Sequence, residues 1–141
     1  MTITFADLEV GQHLPAQTFP ISRANLVQYA GASGDFNPIH WSEQTALGVG
    51  LPNVIAHGML TMAIAVRVVT DWLDDPGAVL DYGVRFTRPV VVEFDQPANL
   101  EVTGSVRSLD EANGTAVLDV IATVKGETVL AKARVTVRVA E

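Results

Sequence analysis

The chain changes its hydrophobic rhythm halfway along. From Val79 onward apolar residues recur at every second position, the period of strands with one buried face. Leu80, Tyr82, Val84 and Phe86 alternate with Asp81, Gly83, Arg85 and Thr87 across 79–88. Leu100, Val102, Gly104 and Val106 form a second row, and Ala116, Leu118, Val120, Ala122 and Val124 a third. Val129, Ala131, Ala133, Val135, Val137 and Val139 form the fourth and clearest. Asp110–Gly114, with Asn-Gly as its turn signal, and Lys125-Gly126-Glu127 predict hairpin connections.

Before Val79 the period is helical or broken. Ser22 can cap a helix over 23–30 in which Leu26, Tyr29 and Ala30 fall at helical spacing, with Gly31 and Gly34 as stops. Ser42–Leu47 predicts another turn or two, ended by Gly48 and Gly50. Met59–Leu73 carries apolar residues on nearly every face through Val69, which predicts one long helix buried on most sides. Thr18–Ile21 supplies a further strand. One buried helix and a run of antiparallel strands pack most economically as a sheet wrapped around the helix. The predicted class is α+β, the hot-dog arrangement, as a single domain over residues 1–141. Such a sheet leaves an edge strand that a second subunit can cover.

Composition changes the picture in three ways. The 141 residues suffice for one core without metals or disulfides, but 48% are hydrophobic and only 18% charged. With a mean hydropathy of +0.28, that balance favours an oligomer whose interface takes up surplus apolar surface. The net charge of −7 repels phosphate backbones and argues against nucleic-acid partners. The lack of cysteine removes disulfide and thiolate chemistry. No basic-then-apolar leader opens the chain, and the apolar stretch Met59–Val69 is interrupted by Thr61 and Arg67 and is too short for a bilayer. A soluble cytoplasmic protein without a membrane partner is expected.

Candidate chemistry lies in the loop-rich half. Asp35 and His40 are five residues apart, about 140° on a helix, where they would not converge. Pro38 prevents a helix there and pushes Asn37 towards extended geometry. A bent loop brings the carboxylate and the imidazole to one small volume, and Asn37 can hold the bend and position the substrate. An imidazole exchanges protons near neutral pH, and a carboxylate opposite it can orient a water. Equally, Asp-x-Asn-Pro can be no more than a turn, and a histidine beside Trp41 no more than a packed ring. A second feature is Ala56-His57-Gly58-Met59, at the start of the long helix. The Gly58 N–H at a helix N-terminus suits a carbonyl oxygen that becomes an enolate; the plainer reading is tight packing at glycine. For His57 a packed or capping role fits better than chemistry.

Asp35-Phe36-Asn37-Pro38-Ile39-His40 followed by Ala56-His57-Gly58-Met59 resembles the MaoC-like dehydratases, or R-specific enoyl hydratases. Leu8-Glu9-Val10-Gly11 is similar to that family's opening strand and turn, and Tyr82-Gly83-Val84-Arg85-Phe86 to one of its strands. Asn37–Trp41 and Asp75–Val79 resemble the catalytic subunits of actinobacterial (3R)-hydroxyacyl carrier-protein dehydratases. The resemblance implies a hot-dog dimer that hydrates 2-enoyl thioesters, or dehydrates (3R)-hydroxyacyl thioesters, on coenzyme A or acyl carrier protein. It implies Asp35 and His40 as the catalytic pair, the Gly58 N–H as the carbonyl donor, and no metal or redox cofactor. Arg85 and Arg88 would either meet carrier phosphates or be ordinary outward residues. Two alternatives stay open: a hot-dog thioesterase, and a non-catalytic acyl-binding partner in a heterodimer.

Overall fold

The computed structural model describes residues 2–141. Strands β1 (Gln17–Ile21), β2 (Val79–Phe86), β3 (Ala98–Asp110), β4 (Thr115–Val124) and β5 (Glu127–Arg138) form one antiparallel sheet in the order β1-β3-β4-β5-β2. Alternation drives this part. Leu100, Val102 and Val106 of β3, Leu118, Val120 and Ala122 of β4, and Ala133, Val135 and Val137 of β5 are all buried. The β4–β5 connection places Lys125 at φ 50° and Gly126 at φ 77°, the two left-handed positions a tight hairpin requires.

Among the described residues four α-helices complete the fold: α1 (Arg23–Ser33), α2 (Glu43–Gly48), α3 (Gly58–Ala65) and α4 (Arg67–Leu73). Ala65, Val68, Val69 and Leu73 share one apolar core with the inward rows of the sheet. The α+β hot-dog arrangement expected from the sequence is therefore the one found.

Several local expectations need correction. The long helix is two segments meeting at Val66, where Val69 N–H bonds the Val66 carbonyl at 2.9 Å, a single tighter turn in the ladder. The Tyr82 hydroxyl donates to the Met62 carbonyl at 2.8 Å, beside this step, and competes for an acceptor of the helical ladder. The helix is also buried on one side only: Thr61, Ala65, Val68 and Val69 are enclosed, while Met59 and Arg67 are exposed. On β2, Leu80 and Phe86 are exposed rather than inward, because β2 is an edge strand with irregular register. On β5 the row slips at Lys132, which sits at φ 48°. One extra residue there makes a bulge against both neighbours, so Leu130 is buried and Ala131 only half-buried. Helix α1 passes through Gly31 and ends at Gly34, which takes the left-handed cap at φ 75°. Leu8–Gly11 forms a turn without a strand before it; Thr4 and His13 make only single bridges.

Candidate active site

The loop after α1 is built as a chain of local caps. Ser33 Oγ donates to the Tyr29 carbonyl and accepts the Asp35 N–H. One Asp35 carboxylate oxygen, Oδ1, accepts the Asn37 N–H at 3.1 Å. Asn37 Oδ1 in turn accepts the Ile39 N–H at 3.2 Å and caps a single 3-10 turn over Pro38–His40. Proline suits that first position because it lacks the N–H a helix start leaves unpaired. Trp41 Nε1–H closes the loop from outside by donating to the Phe36 carbonyl at 3.0 Å. The side-chain oxygen of Asn37 is thus engaged in holding the bend.

These turns bring Asp35 and His40 together. His40 is buried, and its Nδ1 lies 2.7 Å from the Ile55 carbonyl. A carbonyl only accepts, so Nδ1 carries the proton and Nε2 presents a bare lone pair. Nε2 faces Asp35 Oδ2 at 3.8 Å. That gap is too wide for a direct hydrogen bond and leaves both groups open to one water. Asp35 is exposed, so the pair has a solvent side.

The strand-like segment before α3 supplies the rest. Ala56 N–H bonds the Val90 carbonyl and Val92 N–H the Val54 carbonyl, which anchors Ile55 and its carbonyl beneath His40. His57 is the N-cap of α3 but its side chain makes no capping bond. The ring is instead buried and packed. It stacks on His40 with centroids 3.8 Å apart and planes 21° apart, and Tyr29 meets its edge at 4.8 Å. His57 Nε2 lies 3.1 Å from the backbone carbonyl of Asp35, while Nδ1 is buried with no partner. The expected packing role is present and the capping role is not. The contact of His57 with both members of the pair has no local signal in the sequence.

Gly58 opens α3, so no carbonyl one turn earlier takes its N–H. A Cβ built on Gly58 would meet the Phe86 ring at 3.0 Å. The packing reading of this glycine therefore has a named contact, beside the reading as a carbonyl site. Arg85 and Arg88 both lie at the surface, and Arg88 reaches only the Thr128 carbonyl at 3.4 Å.

Asp35, His40 and His57 each offer one atom within 4.8 Å of the others, the one such cluster among the described residues. One nitrogen of each imidazole is already engaged by a backbone carbonyl, Nδ1 of His40 by Ile55 and Nε2 of His57 by Asp35.

An antiparallel sheet around a helix, with a carboxylate and an imidazole facing each other in the loop packed against the start of α3, is a hot-dog architecture. The MaoC-like domain model matches residues 6–125, and the chain belongs to that family. An (R)-specific enoyl-CoA hydratase of Rhodospirillum rubrum is 35% identical over 104 residues, covering 72% of this chain and 71% of its own. A 3-hydroxyacyl-thioester dehydratase X of Mycobacterium tuberculosis is 38% identical over 78 residues, covering 55% of this chain and 27% of that protein. A solved MaoC-like dehydratase superimposes with a TM-score of 0.95 at 42% identity over 99% of this chain and 43% of that one. This chain thus spans less than half of each of those last two proteins. The truncated HadBC complex of Mycobacterium tuberculosis, a (3R)-hydroxyacyl carrier-protein dehydratase, shares the fold, with a TM-score of 0.73 at 24% identity over 91% of this chain and 95% of that one. Among the described residues no helix is long and apolar enough to cross a membrane.

Proposed function

We propose that this chain adds water across the 2,3 double bond of a trans-2-enoyl thioester and, in reverse, dehydrates a (3R)-hydroxyacyl thioester. The observation that carries the reading is the bare Nε2 of His40 facing Asp35 Oδ2 across 3.8 Å, with the His40 tautomer held by the Ile55 carbonyl. The carrier is coenzyme A or the phosphopantetheine of acyl carrier protein. The likeness to an (R)-specific enoyl-CoA hydratase supports R stereochemistry at C3.

In the hydration direction Asp35 and His40 hold a water. His40 Nε2 takes its proton as the oxygen bonds to C3. The electron pair of the double bond moves onto the thioester oxygen, where the Gly58 N–H at the start of α3 meets the charge. C2 is then protonated and the carbonyl re-forms; the proton gained at C2 balances the one lost by water. No electron changes hands, so no redox cofactor is called for. Asn37 acts by fixing the loop that carries the pair. A groove of about 510 Å³ lined by Phe19, Tyr29, Leu60, Ile64 and Arg67 adjoins the site through Tyr29 and is where the acyl chain would lie. A second hot-dog subunit, a copy or a relative, would cover the open edge of β2 with its exposed Leu80 and Phe86.

Two variants, each keeping one backbone contact, test the pair. Asparagine at 40 keeps a donor where Nδ1–H meets the Ile55 carbonyl but removes Nε2, and Asp35→Asn keeps the acceptor for the Asn37 N–H. Each is expected to lower turnover of crotonyl thioester by about 10²- to 10⁴-fold, read as loss of the enoyl absorbance. Near-native turnover in either folded variant would overturn the assignment. Release of free thiol with the enoyl group intact would point to a thioesterase instead. Activity and mass of the chain purified alone separate a self-sufficient enzyme from one needing a partner.

A further inference from the structure

We propose that His57 is a positioning residue that ties the Asp35–His40 pair to the start of α3. The inference rests on the hydro-lyase reading of the pair but uses different observations. His57 makes three contacts that no other side chain combines. Its Nε2–H donates to the Asp35 carbonyl at 3.1 Å, which fixes the backbone from which the carboxylate projects. Its ring lies flat on the His40 ring at 3.8 Å, which sets the plane in which Nε2 of His40 presents its lone pair. Its own backbone continues directly into Gly58, the donor assigned to the thioester oxygen. One residue therefore sets acid, base and carbonyl site in a single frame. The Tyr29 ring, edge-on at 4.8 Å, closes the remaining side and connects that frame to α1.

The unpartnered Nδ1 argues that this is more than packing. The Asp35 carbonyl only accepts, so Nε2 carries the proton and Nδ1 is a bare lone pair. That lone pair is buried with no donor, which costs stability. A phenylalanine would fill the same slot and stack on His40 without burying a bare lone pair of its own, and would give up only the donor to the Asp35 carbonyl. The imidazole brings only one thing a phenyl ring lacks, the Nε2–H to Asp35.

The atom positions of the amide side chains give a clean test. Glutamine places its Nε2 four bonds from Cα, matching histidine Nε2; asparagine places its amide nitrogen where Nδ1 sits. His57→Gln keeps the donor but not the ring and His57→Phe the ring but not the donor, so each should lose about 10-fold in kcat, and His57→Asn, which keeps neither in place, about 100-fold, with KM nearly unchanged. His57→Phe should unfold at or above the temperature of the native chain. All three are assayed beside His40→Asn, with folding checked by circular dichroism. Full activity in folded His57→Phe, or equal losses in the Gln and Asn variants, overturns the positioning role. If His40→Asn is itself active, the hydro-lyase reading fails instead, so the two failures are distinguishable.

Discussion

The interior of the sheet and the buried cluster at its helix end are both closed to solvent, yet they obey different rules. Leu100, Leu118, Val135 and their neighbours are enclosed by shape and apolar area alone. Among the described residues the buried polar side chains are His40, His57 and Thr61, and all three come from the loop and α3. Area is a generic currency, worth about 25 cal/mol per Å² whichever apolar group supplies it. A buried polar group is held by particular donors and acceptors, and a missing partner is costly. Residues of the sheet interior are therefore exchangeable for others of similar volume. Residues of the cluster are exchangeable only for others with the same atom in the same place.

That contrast is broken most directly by crossing one variant from each region. His40→Asn should remove about 10²- to 10⁴-fold of turnover while lowering the melting temperature less than a core truncation does. Leu118→Ala, at a fully buried position in β4, should do the opposite. Its cost is about 2–5 kcal/mol of stability, with turnover per folded molecule unchanged. Thermal unfolding and enoyl-thioester hydration measured on both variants decide it; a Leu118→Ala enzyme that is stable but inactive would dissolve the distinction.

Gly58 sits on the boundary between the two regions, since both rules make claims on it. Gly58→Ala should lower turnover by about 10-fold or more, by crowding either the Phe86 ring or the thioester oxygen. Removing the ring separates the causes. If the loss persists in Gly58→Ala with Phe86→Ala, the glycine serves the carbonyl site. If activity returns to that of Phe86→Ala alone, it serves packing.

The same contrast explains what could be read in the sequence. Period-two alternation made β3 and β4 legible because each position faces either core or water. It failed at Lys132, where a single left-handed residue shifts the row, and nothing in Ala131-Lys132-Ala133 announces a bulge. It failed again on β2, because an edge strand looks the same in sequence as a central one. The spacing of Asp35 and His40 around Pro38 indicated a bent loop, and the structure brings the two within 3.8 Å. His57 escaped because stacking on His40 is a long-range contact between two loops, which no local pattern encodes. The choice of His40 tautomer likewise depends on the Ile55 carbonyl, fifteen residues away.

Tyr82 offers the smallest and most specific test, because it is a polar group placed among the apolar rows. Its hydroxyl donates to the Met62 carbonyl at 2.8 Å, and burial pushes the phenol well above its ordinary value near 10. Val66 N–H also reaches that carbonyl, at 3.3 Å, so Tyr82→Phe does not strand it. The expected cost is about 0.5–1.5 kcal/mol at neutral pH, at the low end of that range. The sign of the pH dependence follows from the direction of the shift. A raised phenol favours the neutral form in the fold, so its contribution is complete below about pH 10, the unfolded value. It is lost progressively as pH rises from there towards the folded value. Native protein should therefore lose stability above pH 10 more steeply than Tyr82→Phe, and the gap between them should close. Parallel denaturation curves at pH 8 and pH 10.5 that keep the same separation would mean the phenol is not held neutral by the fold, and that the apolar rule governs Tyr82 as well.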